Sequence, residues 1–245
     1  MYFLFFFLYL FGGHRDLPSF PTRRSSDLEE LLVLSFRKVG VHMPDISIPI
    51  FIKYLRRDVK DVVIPGEIDA LIEHIKRRKE EGTRVNINVI GEMVLGEREA
   101  DERVGKYVNI LQNPNIDYIS IKISTIFSQI NPLAHEWSVE QISKKLQKIY
   151  DAAIDNKFTD KDKEQKYKFV NLDMVEYKDV HLTIDVFKRT LSLEKYKYLY
   201  AGIVLQTYLP DTLELAKDLF KWTKERVESG GAPIKIRLVK GANQD

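Results

Sequence analysis

From residue 65 onward the chain alternates between two hydrophobic periods. Ile68, Leu71, Ile72 and Ile75 recur at i, i+3, i+4 and i+7, which predicts an amphipathic helix, with Pro65 and Glu67 in its first turn and Gly82 past its end. A short run of β-formers, 85–90, follows. Glu97–Leu111 is again helical, with Ala100, Val104, Val108 and Leu111 on one stripe and Pro114 beyond it. The run 116–124 reads as a strand. Ser138 and Gln141 have the spacing of a capping box ahead of a helix that turns Ile142, Leu146, Ile149 and Ala153 inward. A charged linker, NKFTDKDKEQK, leads to a strand at 167–174. A helix over 182–191, a strand over 201–206, a helix over 211–227 and a last strand from Ile234 complete the pattern, with Gly230 and Gly231 stopping the last helix.

Four strand–helix units and a fifth strand imply a parallel sheet, with strands apolar enough to be covered on both faces. Two architectures compete. An open nucleotide-binding sheet would carry a Gly-rich phosphate loop after its first strand, but Gly91 and Gly96 in IGEMVLGE are wrongly spaced for G-x-G-x-x-G, and there is no Walker motif. A (β/α)8 barrel instead sets one functional side chain at each of several strand C-termini, because those ends open on one face. Glu92, Lys122, Asp173, Gln206 and Arg237 each stand at the end of such a run. Periodicity therefore favours an α/β fold of the TIM-barrel type. A whole barrel takes about 250 residues, so the chain is expected to hold about five of the eight units, and to be a gene fragment.

The ends of the sequence divide it further. Residues 1–28 begin with MYFLFFFLYLF, too short to span a bilayer and without the basic start and small-residue cleavage site of a signal peptide. They read as a non-native leader of the kind that translated sequencing adapters leave, or as a hydrophobic tail. Residues 29–63 are broken by Pro44 and Pro49. Ile52, Leu55, Val59 and Val62 give them a helical stripe, and they read as an arm before a main unit at 64–245.

Composition removes several classes. The 245 residues carry 38 Lys plus Arg against 36 Asp plus Glu, and a net charge of +2 makes no electrostatic case for nucleic acid. The absence of cysteine excludes disulfides, thiol catalysis and Cys-ligated metal. The five histidines show no metal-ligand spacing. Structural alternatives stand beside each candidate. Lys122 reads equally as a solvated strand-end lysine, Asp173 as a cap on the loop VEYKD, and Gln206 and Arg237 as partners of each other or of Glu92. The lysines also admit a Schiff-base aldolase, with Lys122 or Lys240 as the amine.

Five strand-end motifs, GEMVLGE, SIKIS, VNLDMVEY, GIVLQTYLPD and IRLVKGAN, stand in this order between Val85 and Asn243. Together they resemble the proline dehydrogenase domain of bacterial proline utilisation proteins. IKISTIFSQINP and GGAPIKIRLVKGAN especially resemble the branch in which that domain is fused to an aldehyde dehydrogenase. The resemblance implies a (β/α)8 flavoenzyme that oxidises L-proline to Δ1-pyrroline-5-carboxylate, with hydride passing to FAD and electrons to a quinone. It implies a cytoplasmic protein, peripheral at the inner face of the bacterial plasma membrane. By motif, Lys122 corresponds to the lysine that holds the substrate carboxylate and Asp173 to the aspartate beside the substrate. Gln206 and Arg237 correspond to residues on the isoalloxazine ring, Val239, Lys240 and Gly241 to further flavin contacts, and Glu92 to a pocket glutamate. Asn243 stands where many relatives carry an aromatic pair, and the family's last three strands and paired arginines have no counterpart, so the chain by itself is expected to be inactive.

Overall fold

The computed structural model describes residues 68–89, 93–160, 163–174 and 176–241, with short helical pieces between 44 and 53. Glu92, residues 1–28, most of the arm and Asn243 lie outside the described residues.

The first helix, α1 (Ile68–Glu80), buries Leu71 and Ile75. Asp69 in its first turn and Arg77, Arg78 and Lys79 in its last complement its dipole. Gly82 at φ +81 ends it, with Thr83 N returning to Arg78 O at 2.8 Å. Then come β1 (Ile87–Asn88), α2 (Glu97–Gln112), β2 (Tyr118–Lys122) and a single turn, α3 (Ile123–Ile126). Helix α4 (His135–Asp155) follows, then a small antiparallel hairpin of β3 (Phe158–Thr159) and β4 (Gln165–Lys166) where the sequence reads as a charged linker. The rest is β5 (Phe169–Asp173), α5 (Val180–Leu191), β6 (Gly202–Gln206), α6 (Thr212–Glu228) and β7 (Lys235–Val239).

Helix α4 starts a turn earlier than the capping-box pattern predicts. Ser138 is not its cap: it is buried inside the helix, and its hydroxyl donates to Asn131 O at 3.3 Å. Asn131 caps the 3-10 turn Pro132–Ala134 that leads in, its Oδ1 accepting from Leu133 N at 3.0 Å, and α4 follows directly from that turn with no side-chain cap of its own. Pro fits a first helical position because its missing N–H has no partner to lose there.

Strands β1, β2, β5, β6 and β7 form one sheet in that order, every neighbouring pair parallel. Chain order equals spatial order, with no reversal. A doubly wound sheet reverses its order at a switch point and a barrel does not, so the barrel reading holds. The sheet does not close among the described residues.

The two faces of this sheet differ. Ile119, Ile121, Val170, Leu172, Ile203 and Leu205 point into a core shared with the helices, among them Val104, Leu146, Phe187 and Leu219. The alternate positions carry Ser120, Lys122, Asn171, Asp173, Gly202, Gln206, Lys235 and Arg237. As expected, β5 and β6 are covered on both faces, and on the second face polar Asn171, Asp173 and Gln206 stand among Phe169, Gly202 and Val204. At its N-terminal end that face is plugged by aromatic rings. Tyr118 meets Phe169 edge-on at 4.8 Å, and Lys235 Nζ lies 5.6 and 5.8 Å from their centroids.

Candidate active site

Parallel register sets the site. Lys122 and Asp173 are paired positions on β2 and β5, and Arg237 is paired with Val204 on β6. Asp173 and Arg237 face each other over β6. Arg237 Nη2 donates to Asp173 Oδ1 at 2.7 Å. The aspartate side chain is 8% exposed and the arginine 21%. Asn171 Nδ2 also donates to Oδ1 at 2.7 Å, and Asn88 Nδ2 donates to Oδ2 at 3.2 Å. Burial pushes the Asp173 carboxyl above the usual aspartate value, against the pull of Arg237, Lys122 and the hydrogen bonds from Asn171 and Ser120.

Lys122 ends β2 half-buried, and its carbonyl accepts from Thr125 Oγ1 at 2.7 Å, which ties down the turn into α3. Tyr107 Oη meets the same Thr125 hydroxyl at 3.2 Å. Two links hold the neighbouring loops together above the strand ends. Val94 N donates to Ser124 O at 3.2 Å, and Glu97 accepts from Ser128 N at 2.9 Å and from Lys145 Nζ at 2.6 Å.

Gln206 ends β6, buried, with Nε2 donating to Tyr208 Oη at 2.8 Å. Val239 ends β7, and its carbonyl accepts from Thr207 N at 2.8 Å and Thr207 Oγ1 at 3.0 Å. Lys240 beyond it is exposed, and Gly241 takes φ +125, where the ring of Tyr208 is the nearest neighbour a Cβ would meet, at 3.7 Å. Lys122, Asp173, Gln206, Arg237, Val239, Lys240 and Gly241 thus all stand at or near the C-terminal edge of one sheet. Asp173 bonds Arg237 and two asparagines, and Arg237 takes the aspartate as a partner, a pairing absent from the structural alternatives. Sequence reasoning missed Asn88, Ser120 and Asn171. Their signal was period two: Ser120 and Asn171 stand two residues before Lys122 and Asp173. Among the described residues there is no cluster of His, Asp or Glu that would hold a metal ion.

Charged and amide groups from successive parallel strands, gathered at the C-terminal edge of a helix-covered sheet, define a site of the α/β-barrel enzyme class. The sequence model of the proline dehydrogenase family matches residues 71–245, and the chain belongs to that family. Among solved structures it is similar to proline utilization A from Corynebacterium freiburgense, with 37% identity over 89% of this chain and a TM-score of 0.68. It is also similar to the protein of that name from Bdellovibrio bacteriovorus inactivated by N-propargylglycine, with 26% identity over 71% of this chain and a TM-score of 0.61. A Bradyrhizobium japonicum proline utilization A mutant, 17% identical over 68% of this chain with a TM-score of 0.54, shares the fold. The chain spans 21% and 19% of the first two structures. No curated protein matches it.

Proposed function

We propose that this chain carries part of the site of a flavin-dependent proline dehydrogenase, which oxidises L-proline to Δ1-pyrroline-5-carboxylate, with FAD as hydride acceptor and a quinone as the next electron acceptor. The observation that supports it is the Asp173–Arg237 contact of 2.7 Å, with Lys122 beside Asp173 in register, in a chain of this family.

The donor set suits a flavin. Gln206 at the end of β6 brings an amide, Arg237 in the middle of β7 a planar guanidinium with five donors and Lys240 just past β7 an ammonium. Gly241, with no Cβ and a left-handed φ, lets a flat ligand approach the backbone. Gln206, Arg237, Val239, Lys240 and Gly241 would hold the ring system. When bound, FAD supplies the capacity to accept hydride and pass electrons on. Arg237 supplies fixed positive charge where negative charge develops, and a preorganised cation needs no rearrangement to do so. Lys122 and Asp173 offer an ammonium and a carboxylate side by side, which matches the two ends of a zwitterionic amino acid. The burial of Asp173, with Lys122 half-buried beside it, strengthens such contacts by excluding water.

In this reading residues 64–245 are the dehydrogenase part, 29–63 an arm and 1–28 a foreign leader or hydrophobic tail. An aldehyde dehydrogenase domain on the same polypeptide would consume the product. The protein works on the cytoplasmic side, against the inner face of the membrane where quinone is found. Among the described residues no helix is long and apolar enough to cross a membrane. Because the described sheet is open, the 245-residue chain alone is proposed not to turn over proline.

The test is proline-dependent reduction of a dye by the barrel completed within its full-length protein and loaded with FAD, beside flavin absorbance. Neither signal would appear if the reading is wrong, and borohydride trapping of a carbonyl substrate on Lys122 or Lys240 would favour the Schiff-base aldolase.

A further inference from the structure

Beneath the Asp173–Arg237 pair lies a layer of neutral polar side chains with no part in the chemistry above. Asn88, Ser120, Asn171 and Gly202 occupy matching positions on β1, β2, β5 and β6. Ser120 and Asn171 are fully buried. A buried amide or hydroxyl costs free energy unless its hydrogen bonds are made, so its presence in a layer that aliphatic side chains could fill asks for a reason.

The direction of the hydrogen bonds supplies one. Asn171 Nδ2 donates to Asp173 Oδ1 at 2.7 Å and to Ser120 Oγ at 3.3 Å. Asn86 Nδ2 donates to Ser120 Oγ at 2.8 Å. Ser120 thus accepts twice, and as the second acceptor of Asn171 Nδ2 it holds the amide that reaches Asp173. Asn88 Nδ2 reaches the second oxygen, Oδ2, at 3.2 Å. Donors from two strands, β1 and β5, therefore converge on one carboxylate from below, and Ser120 on β2 holds the Asn171 amide in place. Gly202 makes the room. A Cβ there would lie 2.6 Å from Asn171 Oδ1 and 2.6 Å from Phe169 Cζ, closer than atoms approach, so any larger residue drives Asn171 out of place.

We propose that Asn171, Ser120 and Asn88 are positioning residues that hold both oxygens of Asp173 in one orientation toward Arg237 and Lys122. Arg237 alone cannot do this, because its bond reaches Oδ1 and leaves the carboxylate to swing about its own axis. With Oδ1 shared between Arg237 and Asn171, and Oδ2 held by Asn88, the plane of the carboxylate is set. The functional importance of that orientation rests on the proline dehydrogenase reading; the network itself rests on the distances. Arg237 from β7, Lys122 and Tyr118 from β2, and Tyr107 from α2 are the charged and titratable groups acting on or near Asp173.

The full chain, labelled with carbon-13 at aspartate carboxyls, is titrated by NMR, with Asp173→Asn to assign the signal. Losing a hydrogen bond to the charged form lifts a carboxyl by about one pH unit or more. That rise is expected in Asn171→Leu, which removes the donor, and in Ser120→Ala, which removes the oxygen that holds the Asn171 amide on Asp173. It is expected also in Gly202→Ala, which removes no donor and only displaces Asn171. Ile121→Val, on the helix-facing side of β2, serves as a control for mere loss of stability and should leave the Asp173 titration in place. If Asn171→Leu does not fold, Ser120→Ala decides, since it removes one hydroxyl. An unmoved Asp173 titration in the folded variants, or an equal movement in Ile121→Val, overturns the proposal. Proline oxidation is measured separately: its absence in the complete parent protein, beside the expected titrations, counts against the functional reading and not against the network.

Discussion

Arg237 on β7 donates to Asp173 on β5 at 2.7 Å, across the strand that lies between them. The residue of β6 paired with Arg237 is Val204, buried and without a polar group to compete for either partner. An ion pair this enclosed is sustained by its geometry, since both charges have lost water. Its two members come from motifs far apart in the sequence, and the fold makes them one unit.

Replacing Arg237 by Met should destabilise the protein by about 2–4 kcal/mol, because the Asp173 charge stays buried without its cation. The figure belongs at the lower end, as the arginine is 21% exposed. The sign with pH follows. Burial already lifts the Asp173 carboxyl, and loss of Arg237 lifts it further. Protonation then relieves the variant first as pH falls, so the stability gap narrows in acid. Urea midpoints at pH 7 and pH 5 measure it, and a gap that does not change would count against the pairing.

Arg226 offers a larger effect away from the site. Its guanidinium donates to the carbonyls of Leu191 at 2.5 Å, Tyr196 at 2.6 Å, Lys197 at 2.8 Å and Ala232 at 2.9 Å. It joins α5, the loop before β6 and the approach to β7. Arg226→Met strands several buried carbonyls at once, and a loss of about 3–5 kcal/mol is expected. The measurement is a thermal or urea melt, and a loss below about 1 kcal/mol, the range of an exposed ion pair, would show that the arginine sits in solvent.

Lys168 gives a test in alkali. Its side chain is fully buried, and Nζ donates to Leu111 O and Asn113 O at 2.6 Å each, at the C-terminal end of α2. Burial pushes its pKa down from 10.5 to about 8, with Asp117 pulling up and Lys79 down. Above about pH 8 the folded state releases the proton while the unfolded chain holds it until about 10.5, so stability rises with pH across that window. Relative to Lys168→Met, the parent should gain melting temperature between pH 8 and 10. A flat difference would mean that the lysine stays charged in the fold.

Lys122→Met addresses the chemistry. In the full-length, FAD-loaded protein it should lower kcat/KM for proline by about 100-fold or more, the scale of losing a buried charged contact to substrate, and leave flavin absorbance intact. Equal loss of flavin would place the lysine at the cofactor instead.

The main helices and the five sheet strands were legible because their signals are local. Leu71 and Ile75 on α1, and Ala100, Val104 and Leu111 on α2, are buried where the 3.6-residue period puts them. The start of α4 was not legible, because Ser138 with Gln141 imitates a cap while the helix grows out of the 3-10 turn that Asn131 caps. The charged stretch before β5 hid a hairpin, since Phe158↔Lys166 and Thr159↔Gln165 pair through backbone atoms that side-chain composition does not report. Nothing in the local sequence singles out Arg226 or Lys168. Their burial depends on carbonyls supplied by other segments.

By itself the sequence determined the alternation of strands and helices, the parallel class and the strand-end positions of Lys122, Asp173 and Gln206, because a period and a motif are properties of neighbouring residues; Arg237, expected at a strand end, stands in the middle of β7. Tertiary structure alone decided the sequential strand order, which excludes the doubly wound sheet, and the partners of each charge. Parallel register brings Asn88, Ser120, Asn171 and Gly202 into one layer and sets Arg237 opposite Asp173. Register is fixed by how whole elements pack, and no short stretch of the chain contains it.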